Sequence, residues 1–220
     1  MVSSTVSGRV RKRPEERREE ILAAAADIAL TEGLERITLR AVADRLGVRP
    51  GLITHYFPAA EDLVVAAFTR AATAERAELF PRVGAPTARL AHLVAGFESL
   101  DSWDLARLWM NARHLSRFSP ALDDAVVAQE RLNEAGLVEI IEQGIAAGEF
   151  AEVDPLGACT RILMAVDGQG AYVNNAHEAR LDAGEHFVAD VAEWTLGLRP
   201  GTLRTDATTT GAGAQHPSRP

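Results

Sequence analysis

The sequence predicts an all-α fold of about nine helices, and three observations carry that expectation. Apolar residues recur at i, i+3 and i+4 along most of the chain, while strict alternation is nowhere sustained over several residues. Pro, Gly, Asp and Ser fall between the apolar runs, where helices start and stop. No segment repeats with a period of roughly 20 to 50 residues, which disfavours a helical solenoid. Of the 220 residues, 47% are hydrophobic and 25% charged, so a sizeable core can be buried and a wholly disordered or collagen-like chain is excluded.

Taken in order, the first helix is expected to begin at Pro14, a residue suited to the first helical position, with Glu15 and Glu16 favourably placed at the positive end of the helix dipole. Ile21, Leu22, Ala25, Ile28 and Ala29 share its inner face, and Gly33 ends it. Thr38 is the expected N-cap of a short second helix, with Ile37 and Val42 as a hydrophobic staple and Leu39, Val42, Ala43 and Leu46 as its buried stripe. Gly47 suits a tight left-handed turn. Pro50 then opens a third helix, which turns Ile53, Tyr56 and Phe57 inward behind Val48. Two short helices joined by a Gly-containing turn make a helix-turn-helix. Further helices are expected at 61–80, 87–100, 103–116, 120–148, 154–174 and 181–198. The organisation read from these signals is a disordered basic arm at 1–13, a helix-turn-helix unit at 14–60, a larger helical part at 61–199 and a disordered tail at 200–220.

Charge is unevenly distributed. The net charge is −8, which by itself argues against nucleic acid as a partner, yet residues 1–56 hold ten Lys/Arg against eight Asp/Glu, leaving thirteen against twenty-three for the rest. Arg9, Arg11, Lys12, Arg13, Arg17 and Arg18 concentrate the excess where cations on an arm can neutralise phosphates. No apolar run approaches the roughly 18 residues of a membrane span, and the opening segment has no apolar signal core, so a cytoplasmic protein is expected. A single cysteine, Cys159, allows no internal disulfide and reads as a buried structural thiol.

Residues 37–62, ITLRAVADRLGVRPGLITHYFPAAED, are the most specific stretch. Thr38, the spacing from Ala43 to Gly47, Val48, Gly51, the His55-Tyr56-Phe57 triplet and the Glu61-Asp62-Leu63 opening of the next helix together resemble the TetR family of bacterial transcriptional repressors. The resemblance in detail covers about residues 14–70. A recognition helix must lie in a major groove about 12 Å wide with its first residues toward base edges. Gly51 lets the backbone approach, Arg49 can fork onto guanine or pair with phosphate, Thr54 and His55 offer polar contacts, and Leu52 can meet a thymine methyl. Pro50 opens this helix, and Arg40, together with Arg13 of the arm, is a further DNA candidate. By the resemblance, Thr38 and Tyr56 hold phosphates. Two positions depart from the family pattern. Arg49 stands where many members have a capping Ser, and Ala60 stands where a phosphate-binding Lys is common.

The resemblance further implies a homodimer whose two readers address a palindromic operator, with half-sites about 34 to 36 Å apart. In such proteins the last two long helices form a four-helix bundle with the partner. Here Leu156, Cys159, Ile162, Leu163, Val166, Phe187, Val191 and Trp194 supply the candidate stripe. The middle helices are expected to enclose a small organic effector, with Phe97, Trp103, Trp109, Met110, Arg113, His114, Phe118, Met164, Asp167, Gln169 and Tyr172 as candidate lining. The aromatic and acidic members suit a cationic ligand. A helix from about 61 to 80 would link effector to reader, releasing DNA when ligand favours the other state. No cofactor or metal is expected. None of the six histidines follows a Glu by three positions, as a di-iron bundle needs, and no nucleophile elbow, phosphate loop or zinc-protease motif occurs. An enzyme is therefore not expected. The alternative is a helical ligand-binding or scaffold protein whose helix-turn-helix is impaired.

Overall fold

The computed structural model describes residues 13–99, 103–172 and 186–204. The expected arm before Arg13, the tail beyond 204 and the start of the last predicted helix lie outside these residues. Among the described residues there are nine α-helices, one 3-10 turn and no strand. The helices are α1 (Pro14–Thr31), α2 (Leu39–Leu46), α3 (Pro50–Tyr56), α4 (Ala60–Leu79), α5 (Pro86–Glu98), α6 (Trp103–Ser116), α7 (Pro120–Ala146), α8 (Pro155–Gly170) and α9 (Phe187–Leu196). The described residues divide into two compact units, those within 1–74 and 107–129 and those within 75–106 and 130–220. Compactness divides the chain inside α4, whereas the sequence division after residue 60 marks the end of the helix-turn-helix. Phe68 of α4 meets Trp109 of α6 edge to face at 5.1 Å, which ties that part of α6 to the first unit.

In the first unit, α1 begins as its sequence dictates, with Pro14 in its first turn. Glu16 reaches back to accept from the Arg13 backbone N–H at 3.1 Å and from its Nε at 2.8 Å. Ile21, Ala25, Ile28 and Ala29 are buried as their spacing requires. A 3-10 turn, Leu34–Arg36, follows Gly33 and plugs Leu34 into the core, an element that periodicity alone does not announce because it is only three residues long. Ile37 and Val42 are both buried, as the staple requires. Ile53, Phe57, Leu63 and Phe68 complete the core of this unit.

The second unit is built around Leu90, Leu93 and Val94 of α5, Leu137, Ile140 and Ile141 of α7, Ala158, Cys159 and Ile162 of α8, and Val188, Ala192 and Leu196 of α9. Asp154 caps α8 by accepting from the Gly157 N–H at 2.9 Å. Glu149 accepts from the N–H and hydroxyl of Thr87 at 2.8 and 2.6 Å, and these bonds hold its carboxyl below the usual range. Buried Arg89 donates to the Pro81 carbonyl and to the Gln143 side chain. Past α9, Gly197 at φ 68° reverses the chain, and Glu193 accepts from the backbone N–H groups of Gly201 and Leu203 at 2.8 and 2.7 Å. Leu203 is buried there, so residues 200–204, expected in the tail, belong to the folded unit.

Candidate nucleic-acid interface

The reader is assembled from α1, α2 and α3. Thr38 has extended backbone and its hydroxyl oxygen accepts from the Ala41 N–H at 3.0 Å, satisfying one of the orphan donors that start α2. Gly47 ends α2 at φ 62°, ψ 36°, a conformation that a side chain resists, and nothing lies where a Cβ would stand. The turn closes with the Val48 N–H bonded to the Ala43 carbonyl at 2.9 Å. Arg49 precedes α3 without a side-chain cap, and Pro50 occupies the first turn in its place, as the departure from the family pattern implies. Arg45 of α2 is held by Asp27 and Glu32, which binds α2 to α1 and takes this cation off the list of groups left for phosphate. Arg40 lies 3.7 Å from Asp44, a loose and highly exposed pair that a phosphate can replace.

This frame leaves one face of α3 open. Arg49, Pro50, Gly51, Thr54 and His55 are exposed and Leu52 and Tyr56 half-buried, while Ile53 and Phe57 anchor the opposite side. Thr54 donates its hydroxyl to the Pro50 carbonyl at 3.2 Å, so its oxygen remains able to accept. The His55 and Tyr56 rings meet edge to face at 5.2 Å. Thr38 and Arg40 are exposed at the start of α2. Arg13 is exposed, with its guanidinium on Glu16. Arg18 lies over the Phe57 ring at 4.9 Å, which stiffens the junction between α1 and α3.

The candidate effector residues divide between the two units. Trp109, Met110, Arg113, His114 and Phe118 fall in the first; Arg113 lies over the Trp109 ring at 5.5 Å and His114 meets Phe118 at 5.9 Å, with Phe118 74% exposed. Phe97, Trp103, Met164, Asp167, Gln169 and Tyr172 fall in the second. Phe97 packs against the core there, Trp103 is half-buried, and Met164 and Tyr172 are exposed. The Gln169 side-chain oxygen is buried without a hydrogen-bond partner, an arrangement that costs free energy until something donates to it.

The candidate dimer stripe also separates. Leu156, Phe187 and Trp194 are exposed and Leu163, Val166 and Val191 half-buried. Cys159 and Ile162 are fully buried inside the second unit and have no surface to offer a partner, which corrects their place in the stripe. They lie on the inner side of α8 against α5, α7 and α9, a side that an i, i+3, i+4 pattern cannot distinguish from the outer one when both are apolar. Burial pushes the Cys159 thiol up to about 11, so it stays protonated at neutral pH. Among the described residues no group of three or more His, Cys, Asp and Glu is placed to hold a metal ion, and no helix is long and apolar enough to cross a membrane.

Residues 21–67 match the family model described as bacterial regulatory proteins, tetR family. The matched stretch contains the whole of α2 and α3, the helix-turn-helix described above. Over most of the chain the fold is also similar to solved structures of transcriptional regulators. It is similar to a putative transcriptional regulator from Saccharomonospora viridis solved in complex with choline (22% identity, TM-score 0.71, 81% of this chain and 96% of that one). It is also similar to a TetR transcription regulator from Haloarcula marismortui (20% identity, TM-score 0.72, 82% and 98%). A third similar structure is the transcriptional regulator FadR from Bacillus subtilis in complex with stearoyl-CoA (21% identity, TM-score 0.64, 81% and 97%). No curated protein matches the chain. Residues 21–67 run from within α1 through α2 and α3 into α4, so the match takes in the exposed side of α3 and the helix that follows it.

Proposed function

We propose that this protein is a ligand-responsive transcriptional repressor that binds a palindromic operator as a homodimer and releases it when a small organic effector binds. The observation that carries the reading is the exposed face of α3, with Arg49, Gly51, Thr54 and His55 set on a helix-turn-helix that Arg45, the Thr38 cap and the Gly47 turn hold rigid. In this reading Thr38, Arg40 and Tyr56 fix register on phosphates while Gly51, Thr54 and His55 face bases. Dimer formation uses the exposed apolar side chains of α8 and α9, chiefly Leu156, Phe187 and Trp194, whose exposure to water in a single protomer is unfavourable.

The candidate effector residues are Trp109, Met110, Arg113, His114 and Phe118 in the first unit and Phe97, Trp103, Met164, Asp167, Gln169 and Tyr172 in the second. Similar folds hold ligands as unlike as choline and stearoyl-CoA, which supports an effector site without choosing its chemistry. Release follows from linkage: a ligand that binds the DNA-incompetent state more tightly shifts the population away from the operator-bound one. The test is fluorescence anisotropy of the full-length protein on the intergenic DNA upstream of its gene and on a scrambled duplex across a salt series. Tight, sequence-selective binding with a steep salt slope is expected. Absence of binding even at low salt would reject the repressor reading in favour of a helical ligand-binding protein with an impaired reader.

A further inference from the structure

Beside the recognition helix the first unit carries a surface hollow of about 700 Å³, lined by Arg17, Gly47, Val48, Arg49 and Leu52. Two arginines from separate segments therefore share one concavity. Arg17 comes from α1, where its Nη1 donates to Glu20 Oε2 at 2.6 Å and its side chain is only 18% exposed, so it is held in place before any ligand arrives. Arg49 comes from the turn into α3, is exposed, and has no carboxylate partner among the described residues. Gly47 leaves open space where a side chain would stand, and Val48 and Leu52, both half-buried, give the hollow an apolar wall. Glu20 is the carboxylate paired with Arg17, and a guanidinium engaged by one N–H keeps other donors for an incoming oxygen.

Resting on the operator-binding reading above, we infer that this hollow seats one phosphodiester of the strand bordering the major groove, gripped between Arg17 and Arg49. A helix that enters the groove start-first must pass that strand at its first residues, where the hollow lies. A phosphate with its sugar is convex, anionic outside and apolar beneath, and the hollow is concave, cationic and apolar-walled. Arg49 then positions the protein on DNA and does not read a base, and Leu52 lines the seat, leaving sequence choice to Gly51, Thr54 and His55. This seat also offsets the absence of a Lys at position 60, by bringing a phosphate contact from α1 instead.

The test uses the full-length protein with Arg17→Gln, Arg49→Gln and the charge-preserving Arg17→Lys and Arg49→Lys. Anisotropy is measured across a KCl series on two duplexes of about 30 base pairs, one mixed-sequence and one recovered by selection from random DNA. Each Gln variant is expected to weaken both duplexes by the same factor and to lower the salt slope by about 0.9 per protomer, roughly two for a dimer. The Lys variants should recover the slope, with the thermal midpoint unchanged throughout. A slope unaltered by Arg17→Gln would overturn the seat, and so would an Arg49→Gln variant that loses only its preference for the selected duplex. Wild-type protein that binds neither duplex at low salt would instead remove the operator-binding reading, and the seat with it.

Discussion

Single residues in this protein do several kinds of work that their letters do not announce. Glu98, near the end of α5, accepts from the Ala189 N–H at 3.0 Å at the start of α9 and has His186 Nδ1 at 3.6 Å. Burial dominates over these partners and raises its carboxyl above the ordinary range. A raised acid binds protons more readily folded than unfolded. Its contribution is therefore greatest below the ordinary carboxylate range and is lost as pH rises through the folded value. Glu98→Gln keeps an oxygen for the Ala189 N–H and removes the buried charge. Urea unfolding should find this variant more stable than wild type at neutral pH, with the difference vanishing as pH falls below the ordinary carboxylate range. A difference independent of pH would mean that Glu98 acts through packing alone.

At the scale of elements, α2 and α3 are too short to stand by themselves and depend on their caps and on α1. Thr38→Ala removes the oxygen that accepts from Ala41 and should cost about 1 kcal/mol in chemical denaturation. Thr38→Asp retains a capping oxygen but sets a negative charge at the proposed phosphate contact. It should keep wild-type stability and bind DNA more weakly at low salt, separating the structural from the binding role of one side chain. Gly144 of α7 makes a different demand: a Cβ there would collide with the Phe150 ring, which is buried in the core beside Leu137, Ile140 and Ile141 of the same helix. Gly144→Ala gains helix propensity worth about 1 kcal/mol but overpacks by about 1 to 3 kcal/mol. A lower urea midpoint is the expected result.

For the whole molecule the decisive surface is the outer side of α8 and α9. Trp194 is 77% exposed, and Phe187 and Leu156 also lie open, so the chain presents the large apolar side chains that the proposed dimer would cover. Trp194→Asp should shift sedimentation from dimer to monomer without loss of helix content. Because two half-sites bind together only when the readers are linked, the same variant should lose about 100-fold or more in operator affinity. A monomer with full operator affinity would contradict the twofold arrangement. Glu193, a buried residue of α9 that accepts from the backbone N–H groups of Gly201 and Leu203, holds residues 201–203 against this helix.

Much of this was legible in the chain because the signals are local. The spacing of Ile21, Ile28 and Val42, the Thr38 cap, Gly47 and the proline starts set the helices and the helix-turn-helix, since periodicity, hydrogen-bond capping and allowed backbone angles act within a few residues. The 3-10 turn escaped because three residues carry no period. The tertiary structure decided everything that depends on which face meets which. It buried Cys159 and Ile162 while leaving Trp194 open, folded residues 200–204 back onto Glu193, took Arg45 into a clasp with Asp27 and Glu32, and brought Arg17 into one hollow with Arg49. Those outcomes depend on contacts beyond a single helical turn, from eight residues apart to residues in separate helices, and a local pattern of apolar and charged side chains does not specify which surface each one meets.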